Sequence, residues 1–369
     1  MLTASYEARP AGVGSAMPMA VARRRCPDAI VVPPRFERYR DISRLVMDVF
    51  ADFSPRVEAL SLDEAFLDMT GSGRALGTTE SWARRLKDAI RDATGGLTAS
   101  VGVSGTKYVA KVASAFAKPD GLTIVPPAEA RAWLAPQPVG ALWGAGPKLQ
   151  ARLGDCGMRT IGNVAAASPE ALAAFGSIGT HLQALARGED ARPVISARAP
   201  KSLSAEQTLE TNIDKPDEIR FHLRQAAERV GRRLRRNAYT AGGVRIKLKR
   251  ADFRIVTRQA ALTEPTQSAE RLHEAAVSLL THVGDPGPFR LVGLAAFDLA
   301  PVQSSVQLDL LRDASLRSSR LEAVLDEVEA RFGPGAVHRA RDAMRPGVVD
   351  TGGTSLDFLK ERGDEDHRR

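Results

Sequence analysis

The chain has 369 residues, a formal net charge of +8 and 43% hydrophobic residues. This length predicts two to four domains, and the ordinary hydrophobic and glycine content favours a globular over a disordered protein. No apolar run approaches 18 residues and the N-terminus has no signal-peptide pattern, so we expect a cytoplasmic protein without membrane partners. Cys26 and Cys156 lie far apart without a neighbouring Cys or His. We expect them to be reduced, buried thiols rather than a disulfide or a metal site.

The positive charge is concentrated in one part of the chain. Residues 229–258 contain eleven Lys or Arg against the single acid Asp252, so their net charge is +10 and the remainder sums to −2. A basic surplus confined to one stretch favours a polyanionic partner such as nucleic acid.

The first 35 residues predict a small mixed segment with a short helix near residues 18–25. Tyr6 and Arg9 stand three positions apart, on one face if that stretch is helical. A phenol and a guanidinium placed together can hydrogen-bond triphosphate oxygens, and the guanidinium can bind two oxygens at once. The alternative is an unremarkable exposed pair near a chain terminus.

A helix over residues 36–53 is predicted by apolar residues at the helical period. After it, residues 57–69 alternate apolar and polar on either side of Asp63 and Glu64, which predicts a hairpin with two carboxylates near its tip. Adjacent carboxylates repel each other, and a cation relieves that repulsion. Magnesium is usually held by one or two carboxylates while phosphates and water complete its shell. A solvated turn is the alternative.

Further elements are predicted as a helix over residues 81–94, a strand over 97–103 and a helix over 106–117 that ends before Pro119. This order of elements fits an α+β domain. Three cations, Lys107, Lys111 and Lys118, lie along the last segment. We expect Lys107 and Lys111 to be solvated or near nucleic-acid phosphates.

Residues 142–148 (Leu-Trp-Gly-Ala-Gly-Pro-Lys), with a second Gly-rich turn at 157–162, predict a helix-hairpin-helix. Gly144 and Gly146 let the turn approach a phosphate, and the helix beginning near Pro147 and Lys148 presents free amides to an anion. Such contacts position a protein on DNA without reading its sequence. A turn that merely joins two helices is the alternative, but Trp143 and the paired motif favour DNA.

Residues 189–203 predict a linker and residues 219–236 an amphipathic helix. Residues 244–250 then alternate strictly, with Val, Ile and Leu on one face of a strand. The cations on the other face are Arg245, Lys247 and Lys249.

Neighbouring cations on such a strand are about 6–7 Å apart, close to the spacing of phosphates along one DNA strand. Positive charge without a counter-charge on one face repels itself unless an anion binds, so we expect a DNA-backbone surface that Arg254 and Arg258 extend on the next strand. A solvated charged face is the alternative. Beyond Pro301, the sequence predicts a helix over residues 316–332 and a charged, disordered end over 352–369.

The run Ser-Leu-Asp-Glu-Ala-Phe-Leu-Asp at residues 61–68 resembles the palm signature of Y-family DNA polymerases, closest to the bacterial polymerase IV (DinB) type. The resemblance continues through four more blocks in family order, which are residues 4–9, 15–18, 100–104 and 117–121. It covers nearly everything up to about residue 300.

The resemblance implies an α+β multidomain fold, the right-hand polymerase. Its domains would be fingers (1–35), palm (36–126), helix-hairpin-helix thumb (127–198), little finger (201–302) and a tail (303–369). The implied function is error-prone translesion DNA synthesis without proofreading, by a monomer that uses primer-template DNA and deoxynucleoside triphosphates.

Two Mg²⁺ ions are implied as cofactors, with Asp63 bridging both and Glu64 holding the ion at the primer 3′-oxygen. Tyr6, Arg9 and Lys118 would bind the triphosphate. The peptide Gln-Leu-Asp-Leu-Leu at 307–311 is similar to the segment by which bacterial polymerases bind the sliding clamp. Its contact residues would be Gln307, Leu308, Leu310 and Leu311.

One departure from the family pattern leaves a second hypothesis open. The family begins with a strand that carries another metal-binding Asp, followed by paired aromatics, and neither has a counterpart upstream of Leu2. The alternative is a catalytically impaired DNA-binding remnant of such a polymerase. A helix-hairpin-helix glycosylase or nuclease would need a base-excision pocket or a metal cluster, for which the sequence offers no candidate.

Overall fold

The computed structural model describes residues 1–72, 77–196, 199–302, 313–333 and 336–337. The chain divides into two compact units, and the boundary between them in the sequence falls at residue 198. Within these ranges no helix is both long enough and apolar enough to span a lipid bilayer.

The first unit combines two small sheets with nine helices among its described residues. The helices are α1 (Met19–Arg25), α2 (Phe36–Phe53), α3 (Thr79–Thr94), α4 (Lys107–Phe116), α5 (Ala130–Leu134), α6 (Pro147–Asp155), α7 (Ile161–Ala166), α8 (Pro169–Ala173) and α9 (Ser177–Ala186). Threonines begin two of the longer helices, since the hydroxyls of Thr78 and Thr106 accept from backbone amides in the first turns of α3 and α4.

The two sheets each have two short strands. Antiparallel β1 (Val57–Ala59) and β2 (Ala65–Leu67) form the predicted hairpin, with Glu58 directly opposite Phe66. Parallel β3 (Val101–Val103) and β4 (Leu122–Ile124) form the second sheet.

Helix α4 belongs to the largest core of this unit and carries Tyr108, Val109 and Val112 into it. The other side of that core comes from the helical region that follows, with Leu134 from α5, Leu153 from α6 and residues of α7 to α9. A smaller core lies between α2 and α3 and includes Leu67 of β2. The hairpin therefore packs on the helices rather than standing alone.

The second unit is a four-stranded antiparallel sheet in the order β5-β8-β6-β7. Its strands are β5 (Ser202–Ile213), β6 (Tyr239–Arg250), β7 (Ile255–Thr266) and β8 (Phe289–Pro301), and its helices are α10 (Pro216–Arg236), α11 (Ala269–Leu280) and α12 (Asp313–Phe332). The core holds apolar residues of α10 and α11 with one face of the sheet. Val244, Ile246 and Leu248 of β6 are fully buried there, as their alternation predicts.

Ion pairs attach helix α12 to α10. Arg235 of α10 bonds Glu322 at 2.5 Å and Asp326 at 2.6 Å. The Glu322 carboxylate also accepts from the Ser268 hydroxyl and from the amide of Ala269 in the first turn of α11, where the helix dipole favours an anion.

The structure confirms the predicted helix over residues 36–53 and corrects other boundaries. The strand predicted over 97–103 has only three residues, because β3 pairs with β4 only over Val101–Val103. The strand predicted over 244–250 begins earlier, at Tyr239. The prediction that both thiols are buried is wrong, since Cys156 is exposed after the C-terminus of α6 and Cys26 is only half-buried. Residues 307–311 and 352–369 lie outside the described residues, and the division into five domains stays a prediction.

Candidate active site and basic surface

The two predicted carboxylates, Asp63 and Glu64, are exposed in the loop between β1 and β2. The backbone closes this loop, because the Leu60 amide donates to the Glu64 carbonyl at 2.8 Å. The Ser61 hydroxyl donates to Asp63 Oδ1 at 2.6 Å, and Ser43 of α2 donates to the Leu62 carbonyl at 2.5 Å. The carboxylates therefore lie on a loop held at several points.

Lys111 of α4 reaches this loop. Its ammonium donates to Glu64 Oε2 at 2.8 Å, in a pair that remains partly exposed to solvent. A half-exposed ion pair is weak and exchanges readily, so Glu64 can change its partner for another cation.

Among the described residues, no group of three or more His, Cys, Asp or Glu side chains is arranged to hold a metal ion. Asp63 and Glu64 are two adjacent, exposed carboxylates. That donor set fits Mg²⁺, which usually binds one or two carboxylates and completes its shell with water and substrate phosphates. It does not fit a closed site formed by protein ligands alone.

A cleft of about 2400 Å³ lies in front of the loop and is lined by Tyr6, Asp63, Glu64 and Lys118, among others. This volume exceeds the roughly 300–1,000 Å³ of small-ligand pockets, so the cleft has room for more than one nucleotide. The structure thus brings together the predicted metal ligands with two of the three predicted triphosphate contacts.

The third predicted triphosphate contact, Arg9, stacks on the ring of Tyr6. The Arg9 guanidinium lies 4.2 Å from the centre of the Tyr6 ring, a cation–π contact. Arg9 is at the start of a short 3₁₀ turn, Arg9–Ala11, so the shared face arises from a turn rather than from an α-helix. Both side chains are exposed.

Lys118 is exposed just beyond α4. The turn after it is fixed by Asp120, whose carboxylate pairs with Lys87 at 3.0 Å and with Arg91 at 3.4 Å. Two cations of α3 thereby anchor the turn that carries Lys118.

Lys107 corrects the sequence prediction, because it is neither solvated nor on a phosphate-binding face. Only 7% of Lys107 and 8% of Glu58 is exposed, and the Lys107 ammonium donates to Glu58 Oε2 at 2.5 Å. Lys107 is buried because the face of the hairpin that carries Glu58 packs against the rest of the protein. Glu58 and Phe66, which face each other across β1 and β2, are the buried residues of their strands.

A stretch following α9, residues 188–195, contacts the same region, and we call it the strap. The Ile195 amide donates to Glu58 Oε2 at 2.9 Å, and Lys107 also donates to the Pro193 carbonyl at 3.2 Å. Sequence reasoning assigned most of these residues to a linker and missed this contact. No local signal indicates that a linker amide binds an acid 137 positions away.

Asp190 and Arg192 fasten the middle of the strap. The Arg192 guanidinium donates to both oxygens of Asp190, at 2.6 and 2.8 Å, and the Tyr108 amide donates to the same carboxylate at 3.2 Å. Burial opposes the charge on Asp190, but the hydrogen bonds from Arg192 and its positive charge outweigh burial and hold the pKa of Asp190 below its usual value.

Trp143 contacts this cluster instead of projecting freely from the Gly-rich turn. Its ring centre is 5.8 Å from that of Phe66, and Arg192 lies over the ring at 4.5 Å. Trp143 therefore joins the turn to the carboxylate hairpin, and it is not a free aromatic for DNA.

The Gly-rich turn itself leaves open space. Gly144 has φ +96°, a conformation that favours glycine, and Gly146 is the N-cap of α6. A Cβ added to Gly144 or Gly146 would meet no described atom within 4 Å. Lys148 is exposed in the first turn of α6, so an anion can approach this cation beside the open turn. The amides of Ala145 and Gly146 already donate to the carbonyls of Leu142 and Gly144.

The second unit carries the basic surface, defined here as the cations on the face of the sheet opposite α10 and α11. Their positions follow from strand alternation: the neighbours of Arg245, Lys247 and Lys249 in β6 are fully buried on the helix-packed face. Lys249 and Arg290 both lie over the ring of Phe253, at 4.7 and 4.4 Å. Sequence reasoning missed Arg290, because it comes from a different strand, β8.

Counter-charge on this face was not predicted. Lys247 donates to Glu206 of β5 at 2.7 Å, across the intervening strand β8. Gly293 lies between them in the register, and a Cβ there would come within 2.7 Å of the Glu206 side chain. The expectation of positive charge without a counter-charge is therefore wrong at Lys247.

Arg258 does not extend the basic surface. It is paired with Ile246, a residue of the helix-packed face, and it donates to the carbonyls of His282 and Val283 beyond α11. Arg254 pairs with Asp252 at 2.7 Å. The sequence prediction for Arg258 is wrong because it did not follow the register of β7, whereas Arg254 precedes that strand and its contribution to the basic surface stays a prediction.

Two family models match the chain: the impB/mucB/samB family over residues 1–115 and the impB/mucB/samB family C-terminal domain over residues 200–310. The DNA polymerase IV of Desulfatibacillum aliphaticivorans is 40% identical over 343 residues, covering 92% of this chain and 86% of that protein. The DNA polymerase IV of Halorhodospira halophila is 42% identical over 308 residues, covering 83% and 86%.

The chain belongs to the DinB-type Y family of DNA polymerases. Its fold agrees with that of solved Y-family polymerases. A Y-family DNA polymerase chimera of Dbh and Dpo4 matches with a TM-score of 0.72 at 24% identity, over 80% of this chain and 86% of that one. DinB from Sulfolobus solfataricus matches with a TM-score of 0.53 at 23% identity, over 81% and 87%. The predicted family and the α+β polymerase fold are thus confirmed.

Proposed function

We propose that this Y-family polymerase carries out error-prone translesion DNA synthesis, extending a primer from a template without proofreading. The observation that carries the proposal is the cleft of about 2400 Å³ in which Asp63 and Glu64 lie together with Tyr6 and Lys118. Relatives at about 40% identity named DNA polymerase IV support it.

Asp63 and Glu64 would hold the two Mg²⁺ ions. Bound ions supply an activated 3′-oxygen and charge compensation for the leaving pyrophosphate. Glu64 would exchange Lys111 for metal, since that pair is partly exposed. Ser61 would keep Asp63 oriented through its 2.6 Å hydrogen bond.

Tyr6, Arg9 and Lys118 would bind the triphosphate of the incoming nucleotide. The stacked Tyr6 and Arg9 present a hydroxyl and a guanidinium side by side, and Lys118 adds a charge at the cleft. Cations positioned where negative charge develops accelerate the reaction as well as strengthening binding.

Primer-template DNA would be held by its backbone. Lys148 and the N-terminus of α6, beside the open Gly144–Gly146 turn, would bind one phosphate region. Arg245, Lys247 and Lys249 would bind another. A solved structural neighbour at 24% identity, with a TM-score of 0.56, is an insertion ternary complex of Dbh DNA polymerase. Binding of the sliding clamp by residues 307–311 and a monomeric, cytoplasmic state stay predictions.

One observation favours the second candidate, a catalytically impaired DNA-binding remnant. The described residues hold two clustered carboxylates and no group of three possible metal ligands. Such a protein would keep both DNA surfaces, so DNA binding does not distinguish the candidates, whereas nucleotide insertion does.

The test is single-nucleotide insertion into a primer-template with Mg²⁺, comparing the wild-type chain with Asp63→Asn and Glu64→Gln. Glu80→Gln is the matched control, because Glu80 also forms an exposed ion pair in the first unit, with Arg84 on α3. We expect insertion by the wild type and the control, loss of at least about 100-fold in each site variant, and equal DNA affinity in all four proteins. DNA binding without insertion by the wild type would establish the remnant.

A further inference from the structure

The buried pair of Glu58 and Lys107 is unusual for its position. Lys and Glu are rarely fully buried, and burying an ion pair generally contributes little to stability compared with apolar packing. Glu58 is the middle residue of β1 and lies five positions before Asp63 in the sequence. A two-stranded hairpin alone is marginal in water, so contacts to the rest of the protein fix where Asp63 and Glu64 lie.

Helix α4 contacts the hairpin through two ion pairs one turn apart. Lys107 bonds Glu58 at 2.5 Å and Lys111 bonds Glu64 at 2.8 Å. Residues four apart share one face of a helix, so α4 faces the hairpin with both ammonium groups. The Glu58–Lys107 pair, which we call the inner pair, is buried. The Glu64–Lys111 pair, the outer pair, is partly exposed. The inner pair is the fixed contact and the outer pair the exchangeable one.

The strap closes the inner pair from a third side. Glu58 Oε2 accepts from both Lys107 and the Ile195 amide, at 2.5 and 2.9 Å. The strap is bonded to the start of α4 at two further points, by the Thr106 hydroxyl to the Gly188 carbonyl and by the Tyr108 amide to Asp190. Glu58 thus lies where the hairpin, α4 and the strap meet.

We propose that the Glu58–Lys107 pair, closed by the Ile195 amide, is a positioning device that holds Asp63 and Glu64 at the metal-binding position beside Lys111. The inference rests on the proposed function of Asp63 and Glu64. Glu58 and Lys107 act through the hairpin rather than on the substrate. Their contribution is preorganisation, because ligands already in place need no rearrangement when metal and nucleotide bind.

Three variants separate positioning from simple burial of charge. Glu58→Gln keeps the size of the side chain and an acceptor for the Ile195 amide, but leaves Lys107 buried without a counter-charge. Lys107→Met removes the ammonium that bonds Glu58. The double variant Glu58→Gln/Lys107→Met removes both charges, which restores stability in buried pairs of this kind, yet it lacks the directed bond between hairpin and α4.

The measurements use the full chain with Mn²⁺ as the probe metal. Mn²⁺ affinity in the presence of a deoxynucleoside triphosphate is followed by electron paramagnetic resonance. Hydrogen exchange of the Leu60 amide, which bonds the Glu64 carbonyl, reports the order of the loop. Thermal unfolding and DNA affinity are measured in parallel, with Glu80→Gln as the control. Where the chain inserts nucleotides, kcat and KM are determined as well.

For the double variant we expect near wild-type thermal stability and DNA affinity. Its Mn²⁺ affinity should fall about tenfold to a hundredfold, the range found when groups that orient metal ligands are removed. The Leu60 amide should exchange faster, and kcat should fall while KM for the nucleotide changes little. Wild-type Mn²⁺ affinity together with wild-type Leu60 exchange in the double variant would overturn the proposal.

The two proposals fail in different ways. A wild-type chain that binds Mn²⁺ through Asp63 and Glu64 but inserts no nucleotide would refute the proposed function, and the Mn²⁺ titration would still decide the positioning role. If Asp63→Asn and Glu64→Gln leave Mn²⁺ affinity unchanged, both proposals are refuted. If either single variant at residue 58 or 107 fails to fold, the charge-neutral double variant alone decides.

Discussion

Removing Glu206 from the basic surface should strengthen DNA binding. Glu206 is the acid that Lys247 bonds at 2.7 Å, with both side chains about one-third exposed. A phosphate that binds Lys247 must compete with this carboxylate and is also repelled by it. In Glu206→Gln the competing charge is gone, while an amide of similar size still packs beside Gly293.

The magnitude follows from the exposure of the pair. A surface ion pair is worth about 0.2–1 kcal/mol, so freeing Lys247 should tighten DNA binding by roughly 1.5-fold to fivefold at low salt. If Lys247 then neutralises one more phosphate, the slope of log affinity against log salt becomes steeper by about 0.9 on duplex DNA.

Fluorescence anisotropy with a primer-template at several salt concentrations measures both quantities. Asp217→Asn is the matched control, because Asp217 forms an exposed pair with Arg220 on α10, away from the basic surface. The effect should disappear in a Lys247→Ala background, since no cation is then released. Tightening that persists in that background, or an unchanged affinity at low salt, would refute the reasoning.

Three further predictions concern the first unit. Lys107→Met should lower the free energy of unfolding by about 3–5 kcal/mol, because the buried Glu58 loses the ammonium that bonds it at 2.5 Å; urea denaturation measures this, and a loss below about 1 kcal/mol would contradict it. Asp190→Asn should destabilise the protein at neutral pH. The pKa of Asp190 is lowered in the folded state, so its contribution is present above the unfolded pKa of about 3.9 and is lost as pH falls through the folded pKa. The stability difference from wild type should therefore shrink in acid, and a difference that grows there would be inconsistent with the pairing. Tyr108→Phe should leave stability nearly unchanged, because the buried Tyr108 hydroxyl has no hydrogen-bond partner among the described residues; a loss above about 1.5 kcal/mol would indicate a partner.

Local patterns predicted much of this protein. The helical period gave the bounds of α2, Phe36–Phe53, and strict alternation placed Arg245, Lys247 and Lys249 on the face opposite the core. Both are local signals, since side-chain direction repeats every 3.6 residues in a helix and every two in a strand. The motif around Asp63 and Glu64 indicated the family, which the relatives confirm.

Tertiary structure alone decided what packs on each face. Glu58 and Lys107 are 49 positions apart in sequence, and Lys247 and Glu206 are 41 apart. The periodicity of a helix or strand predicts which residues share a face, but not which element covers that face. For this reason the prediction of a solvated Lys107 is wrong. Arg258 was misplaced for the same reason, because its face depends on the register between β6 and β7. Contacts of this kind arise when distant segments meet, and a local sequence pattern does not encode them.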